Sequence, residues 1–167
     1  FRRVLFRSVR VGDIVEQMRA VAALLRARSG RDLVVAGHSA GGQLAACLLS
    51  DRKGVKAAYA ISGVFDLEPL IPTSLNAKLR LDTDEARGLS PIRWPVPEGL
   101  ALDCVVGGDE SGEFLRQSRD MADTWARAGI RTRYEAIEGA NHFTVIAGLA
   151  DPDSAMTARV AELATTL

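Results

Sequence analysis

A serine hydroxyl does little chemistry at its ordinary pKa; it becomes a nucleophile when a base takes its proton and a third group orients that base. Three stretches of this chain offer those parts. Gly37-His38-Ser39-Ala40-Gly41 fits the pattern G-x-S-x-G, in which a sharp strand-to-helix turn stands the serine above a sheet. The apolar run Asp32 to Ala36 leads into it, and a helical pattern, Ala40 to Ser50, leaves it. Such a turn predicts strained backbone angles at Ser39, with glycines on either side removing side chains that would collide. Ser39 would then stand at a helix N-terminus, where free N–H groups favour an oxyanion, and the Ala40 N–H is the expected donor.

The chain has two histidines. His38 lies inside the turn and suits the role of base poorly. His142, in Gly139-Ala140-Asn141-His142-Phe143 just after a predicted strand, is the candidate. The orienting acid should follow the strand in LALDCVVGG, which leaves Asp109 and Glu110. Spacing does not separate them, and either could instead cap the helix that starts near Ser111. The order serine, acid, histidine is that of hydrolases built on this kind of turn.

Positioning these groups takes a sheet whose strands all end on the same side. Val11 to Arg28 repeats apolar residues at three- and four-residue intervals and stops at Gly30, which predicts an amphipathic helix. Asp32 to Ala36 reads as a buried parallel strand, and Val55 to Ile61, Leu102 to Val106 and Arg131 to Ile137 read as further strands. Helical patterns cover Ser111 to Ala128, with Gly129 past the end, and Ser154 to Leu167. Alternating strands and helices imply an α/β fold with a doubly wound, mostly parallel sheet. Between Phe65 and Gly99 the alternation breaks. Pro69, Pro72, Pro91, Pro95 and Pro97 punctuate segments that suggest one or two small helices, and 65–99 reads as a lid or binding-loop insertion.

Composition narrows the function classes. Apolar residues make up 47% of the 167 and charged residues 25%, as in ordinary globular chains. Lys plus Arg and Asp plus Glu each number 21, so no net charge draws the chain to nucleic acid or an anionic membrane. No stretch is long and apolar enough to span a bilayer. Phe1 to Ser8, FRRVLFRS, is basic without the apolar core of a secretory signal, so the cytoplasm is the expected compartment. Cys47 and Cys104 sit in apolar runs and read as small core residues, and no histidine has a partner at metal-ligand spacing.

Four segments extend the reading beyond the turn: GHSAGGQLAA, ISGVFDLEPLIPTSLNAKLRLD, ESGEFLRQSRDMADTW and GANHFTVIAGLADPDS. Together, from about Val11 to the C-terminus, they resemble the kynurenine formamidase (arylformamidase) family and its close α/β-hydrolase relatives. The resemblance implies an α/β-hydrolase fold and cleavage of N-formylkynurenine to kynurenine and formate, with no metal or cofactor. It places the catalytic acid on Glu110, which precedes Ser111 and then Gly112-Glu113-Phe114, with Asp109 in reserve; Ser39 becomes the nucleophile and His142 the base. Phe65 and Phe143 are candidate contacts for the aromatic amine, with core packing as their alternative role. The rival activities are a short-chain carboxylesterase and a non-catalytic hydrolase-fold module.

The family also places an H-G-G-type loop before the turn to supply further oxyanion N–H groups, and no such loop occurs here. FRRVLFRS resembles an assembly join more than a native strand. The expectation is therefore that residues 1–8 are non-native, that 9–167 are the C-terminal part of one α/β-hydrolase domain, and that its N-terminal strands are missing. Losing one oxyanion donor costs about 10²–10³ in rate, so impaired activity is expected of this chain alone. An open sheet edge would also invite aggregation or pairing with another chain, for example as a homodimer. The other expected partner is a small-molecule substrate, N-formylkynurenine or a short acyl ester.

Overall fold

Runs rich in Val, Ala, Leu and Ile form three strands, β1 (Leu33–His38), β2 (Val55–Ile61) and β3 (Ala101–Gly107), and the more polar run RTRYEAI forms a fourth, β4 (Arg131–Ile137). The computed structural model describes residues 9–166 apart from Arg52 and Pro97, so the stretch 1–8 lies outside the described residues. The strands pair in parallel in the order β1-β2-β3-β4. Connections between neighbouring parallel strands must cross over a face of the sheet, and helices fill that role. α1 (Val11–Ser29) precedes β1; α2 (Ala40–Ser50) joins β1 to β2; α5 (Gly112–Arg127) joins β3 to β4; α6 (Ala155–Thr166) closes the chain. The link from β2 to β3 holds α3 (Asn76–Leu79), α4 (Thr83–Gly88) and 3₁₀ turns at Glu68–Leu70 and Pro91–Arg93.

Side chains alternate across the strands, and both faces are covered. Ala58 and Ala60 of β2 and Leu102 and Cys104 of β3 pack with Leu49 of α2 and Met121 and Trp125 of α5. Their neighbours in register, Ala57, Tyr59, Ile61, Ala101 and Val105, face the other way against Met156 and Leu163 of α6. The sheet is therefore doubly wound, with three helices on one face and one on the other. Cys47 and Cys104 are free and buried, and burial pushes the Cys47 thiol up to about 12.

Local signals account for the element ends. Gly30 closes α1 in the left-handed conformation, φ 65°, with its N–H on the Arg26 carbonyl at 2.9 Å. α2, β2 and β4 run over the residues their patterns suggest. β1 differs: it reads as a buried strand, yet among the described residues it pairs only with β2 and most of its side chains are half-buried. A short apolar run cannot report how many neighbours it will have.

The 65–99 segment forms two short helices and two 3₁₀ turns around a small core of its own, Leu67, Leu81 and Ala86. It is tied to α5 by Gln117, whose Oε1 accepts from the backbone N–H groups of Phe65 and Asp66 at 2.7 and 2.9 Å. Phe65 itself is fully buried in the main core. That corrects its assignment to a substrate wall: a side chain sealed beneath Gly63 has no face left for a ligand.

One charge pair crosses from sheet to helix. Asp103 of β3 is 1% exposed and receives both Arg159 Nε, at 2.7 Å, and Nη2, at 3.0 Å, from α6. Removing one partner leaves the buried carboxylate uncompensated. Arg159→Met is therefore expected to cost about 3 kcal/mol in urea unfolding, and the double variant Asp103→Leu/Arg159→Met to recover most of it.

Candidate active site

β1 hands its chain to α2 at Ser39, whose φ of 58° and ψ of −118° lie outside the regions open to ordinary side chains. The strain is held by hydrogen bonds on both sides. The Ser39 N–H donates to the Ile61 carbonyl at 2.8 Å, and the Ser39 carbonyl accepts from the Gly42 N–H at 2.9 Å. A Cβ on Gly37 would stand 2.1 Å from the Gly41 carbonyl oxygen, and one on Gly42 2.7 Å from Gly63 Cα. Nothing lies within 4 Å of a Cβ on Gly41. The turn thus requires glycine before the serine and at Gly42, and the second glycine of the motif is not the one that is sterically required.

His142 reaches the same end of the sheet from the loop after β4. Its Nε2 lies 3.1 Å from Ser39 Oγ, and its Nδ1 lies 2.7 Å from Glu110 Oε2. Asn141 braces this loop: its Oδ1 accepts from the N–H groups of Phe143 and Thr144 at 2.9 and 3.1 Å. The Asp109 N–H donates to the Ala140 carbonyl at 2.9 Å, which locks the acid loop to the histidine loop. Gly107 permits that approach, since a Cβ there would meet the Ala140 oxygen at 2.3 Å.

Glu110 and Asp109 part company at this junction. The Glu110 side chain is completely buried, and its second oxygen, Oε1, accepts from the Gly107 N–H at 2.8 Å and the Ser62 hydroxyl at 2.5 Å. Buried carboxylates need such partners, and this one has three. Asp109 is exposed, and its carboxylate accepts no hydrogen bond among the described residues. Alternation across a tight turn makes adjacent residues face apart, which is why spacing alone leaves the two undecided.

Two contributors escape the sequence reading. Ser62 sits just past β2 with φ 47°, its N–H on the Val105 carbonyl at 2.7 Å. Its only signal is that Ser62-Gly63 closes a strand at the same sheet edge as the turn. Phe114, in the first turn of α5, lays its ring 4.5 Å from that of His142. Its position one helical turn after Glu110 is the available clue. His38 approaches the imidazole to 4.6 Å, and burial, followed by the charge of His142, lowers its pKa. Phe143 meets His142 edge-on at 5.7 Å and is 82% exposed. With Phe114, Ser111 and Asp109 it borders an open depression of about 450 Å³ beside the imidazole. The Ala40 N–H, at the start of α2, donates to no backbone or side-chain acceptor among the described residues. Nor do three His, Cys, Asp or Glu side chains among them converge as a metal site.

A serine held at a strained strand-to-helix turn, on a parallel sheet wrapped by helices, is the architecture of a known family, and its profile matches residues 6–166. The chain belongs to the alpha/beta hydrolase family. It is similar to the kynurenine formamidase of Danio rerio, 29% identical over 137 residues, covering 75% of this chain and 47% of that protein. The kynurenine formamidase of Salmo salar is 30% identical over 138 residues, with the same coverage. The chain thus spans about half the length of the curated relatives it matches. Among solved structures, a candidate thioesterase from Silicibacter sp. superposes with a TM-score of 0.75 at 31% identity, covering 92% of this chain and 59% of that one. An esterase from Thermogutta terrifontis shares the fold at a TM-score of 0.67 and 24% identity, covering 95% of this chain and 64% of its own.

The glycine geometry makes a direct prediction. Gly41→Ala should fold with a Tm at or above that of the parent, because alanine favours the helix and meets nothing. Gly37→Ala and Gly42→Ala should each lose several degrees or fail to fold. Thermal unfolding of the three side by side tests the assignment.

Proposed function

We propose that this chain carries the catalytic centre of an arylformamidase-type serine hydrolase, with Ser39 as nucleophile, His142 as base and Glu110 as orienting acid. The observation that carries the reading is the unbroken line Ser39 Oγ–His142–Glu110, at 3.1 and 2.7 Å. His142 Nε2 takes the Ser39 proton as Oγ attacks a formyl carbonyl. The imidazolium gains from the buried Glu110 carboxylate, whose place is held by Ser62 and Gly107. The tetrahedral oxyanion takes a hydrogen bond from the free Ala40 N–H at the head of α2. The collapsing intermediate expels the aromatic amine, which leaves with the proton from Nε2. Water, activated by the same nitrogen, then releases formate and restores Ser39.

The substrate class rests on the similarity to kynurenine formamidases, at 29–30% identity. Phe143, exposed beside the imidazole, suits an aromatic leaving group, since the amine must depart within reach of Nε2. A second reading has its own support: the Silicibacter candidate thioesterase is equally similar in sequence over more of this chain. The same groups would serve an ester or thioester, whose leaving group needs less protonation.

Labelling by a fluorophosphonate probe tests the mechanism. Label should appear on the parent and vanish in Ser39→Ala and His142→Ala. Glu110→Gln should slow it by up to about 10⁴, while Asp109→Asn labels like the parent. A preference for N-formylkynurenine over p-nitrophenyl acetate and acetyl thioesters supports the formamidase reading; the opposite order supports the esterase. An unlabelled but folded parent would overturn both.

A further inference from the structure

Two hydrogen bonds hold the His142 imidazole, one at each nitrogen, to Glu110 and to Ser39. With the Cβ–Cγ bond as a third point, these contacts set the plane of the ring. When Ser39 Oγ is acylated, the bond at Nε2 is gone, and Glu110 and the tether alone would have to hold the base ready for water. Contacts against the faces of the ring would then limit its swing about Cβ–Cγ.

Two aromatic rings lie against the imidazole. His38 lies 4.6 Å away at 43°, and Phe114 lies 4.5 Å away at 36°. They come from different elements, the end of β1 and the first turn of α5, and do not pair with each other among the described residues. We infer that His38 and Phe114 are positioning residues, the two walls of a slot that limits the swing of the His142 imidazole, and that His38 serves only as the neutral ring. This rests on the reading of His142 as the catalytic base.

The neutrality follows from polar accounting around His38. Its Nε2 is buried and has no hydrogen-bond partner among the described residues. A protonated ring would present a donor there with nothing to receive it. The titratable groups whose charges act on His38 are His142 and Glu110. Glu110 favours the charged form; burial and the charge of His142 oppose it and prevail. The sign is useful to the reaction. As His142 takes the serine proton its positive charge grows 4.6 Å from a ring that stays neutral, and acid that charges His38 would oppose that step.

The pH profile of kcat/KM for p-nitrophenyl acetate, with pre-steady-state bursts, reads the proposal. The acid limb of the parent should be steepened by the proton that His38 takes up. His38→Phe keeps a wall and removes that titration, so its limb should be shallower. His38→Ala and Phe114→Ala should lower kcat and KM together, by about tenfold, as acyl-enzyme accumulates in a larger burst. His38→Phe should retain more kcat than His38→Ala. A His38→Phe limb that superposes on the parent's, or unchanged kcat in both alanine variants, overturns the proposal. If fluorophosphonate fails to label the folded parent, the hydrolase reading itself fails, and NMR then decides on His38 separately. The His38 titration midpoint should rise toward that of a free histidine in His142→Ala, and an unmoved midpoint overturns the pairing.

Discussion

Where β1 becomes α2 the backbone reverses within one residue, and the reversal closes only because nothing projects from residue 37. The Gly41 carbonyl occupies the space a Cβ there would need, 2.1 Å away. That close approach forces Ser39 into its strained angles, and the Ile61 carbonyl on the neighbouring strand keeps it there. The rest of the site inherits its position from this turn. The serine can face His142 because β1 and β2 are in register to their last residues, His38 beside Ile61. α2 begins immediately after the serine, because the turn allows no intervening loop, so the Ala40 N–H, without an acceptor among the described residues, opens the helix directly beside Ser39.

The acid side of the site obeys a different constraint, polar satisfaction in a buried place. Glu110 has no exposed side-chain surface, and an isolated buried carboxylate would sooner take a proton than remain charged. Three partners on three elements hold it: Gly107 at the end of β3, Ser62 past β2 and His142 past β4. Gathering partners from three strand ends ties the geometry of the acid to the registry of the whole sheet. A change in how β2, β3 and β4 align would therefore reach His142 through Glu110, without touching either residue.

The two faces of the sheet are unequal, and the asymmetry bears on function. α1, α2 and α5 build the larger core around Trp125, Leu49 and Phe65, while α6 covers the other face with help from the Asp103–Arg159 pair. The 65–99 segment, anchored by Gln117, has a small core of its own against the start of α1. The aromatic surface beside the imidazole comes instead from Phe114 and Phe143. No helix among the described residues is long and apolar enough to cross a membrane.

Local chemistry was legible in the chain itself. A serine between two glycines, after an apolar run and before a helical pattern, marks the strained turn; of those two glycines only Gly37 is sterically required, since a Cβ on Gly41 meets nothing. Periodicity places α2, β2 and β4, since it reports which faces of an element are buried. It is silent about neighbours, so β1 reads as a buried strand although among the described residues it pairs only with β2, and Phe65 stays open between a substrate wall and core packing until the fold places it in the core. Asp109 and Glu110 differ by one position, and only the fold of the turn after β3 decides which one turns inward. Ser62 reaches the Glu110 carboxylate, and Phe114 and His38 reach the imidazole, from three separate parts of the fold. Their meeting depends on strand order and register, which arise from packing between segments distant in the chain and leave no local trace in it.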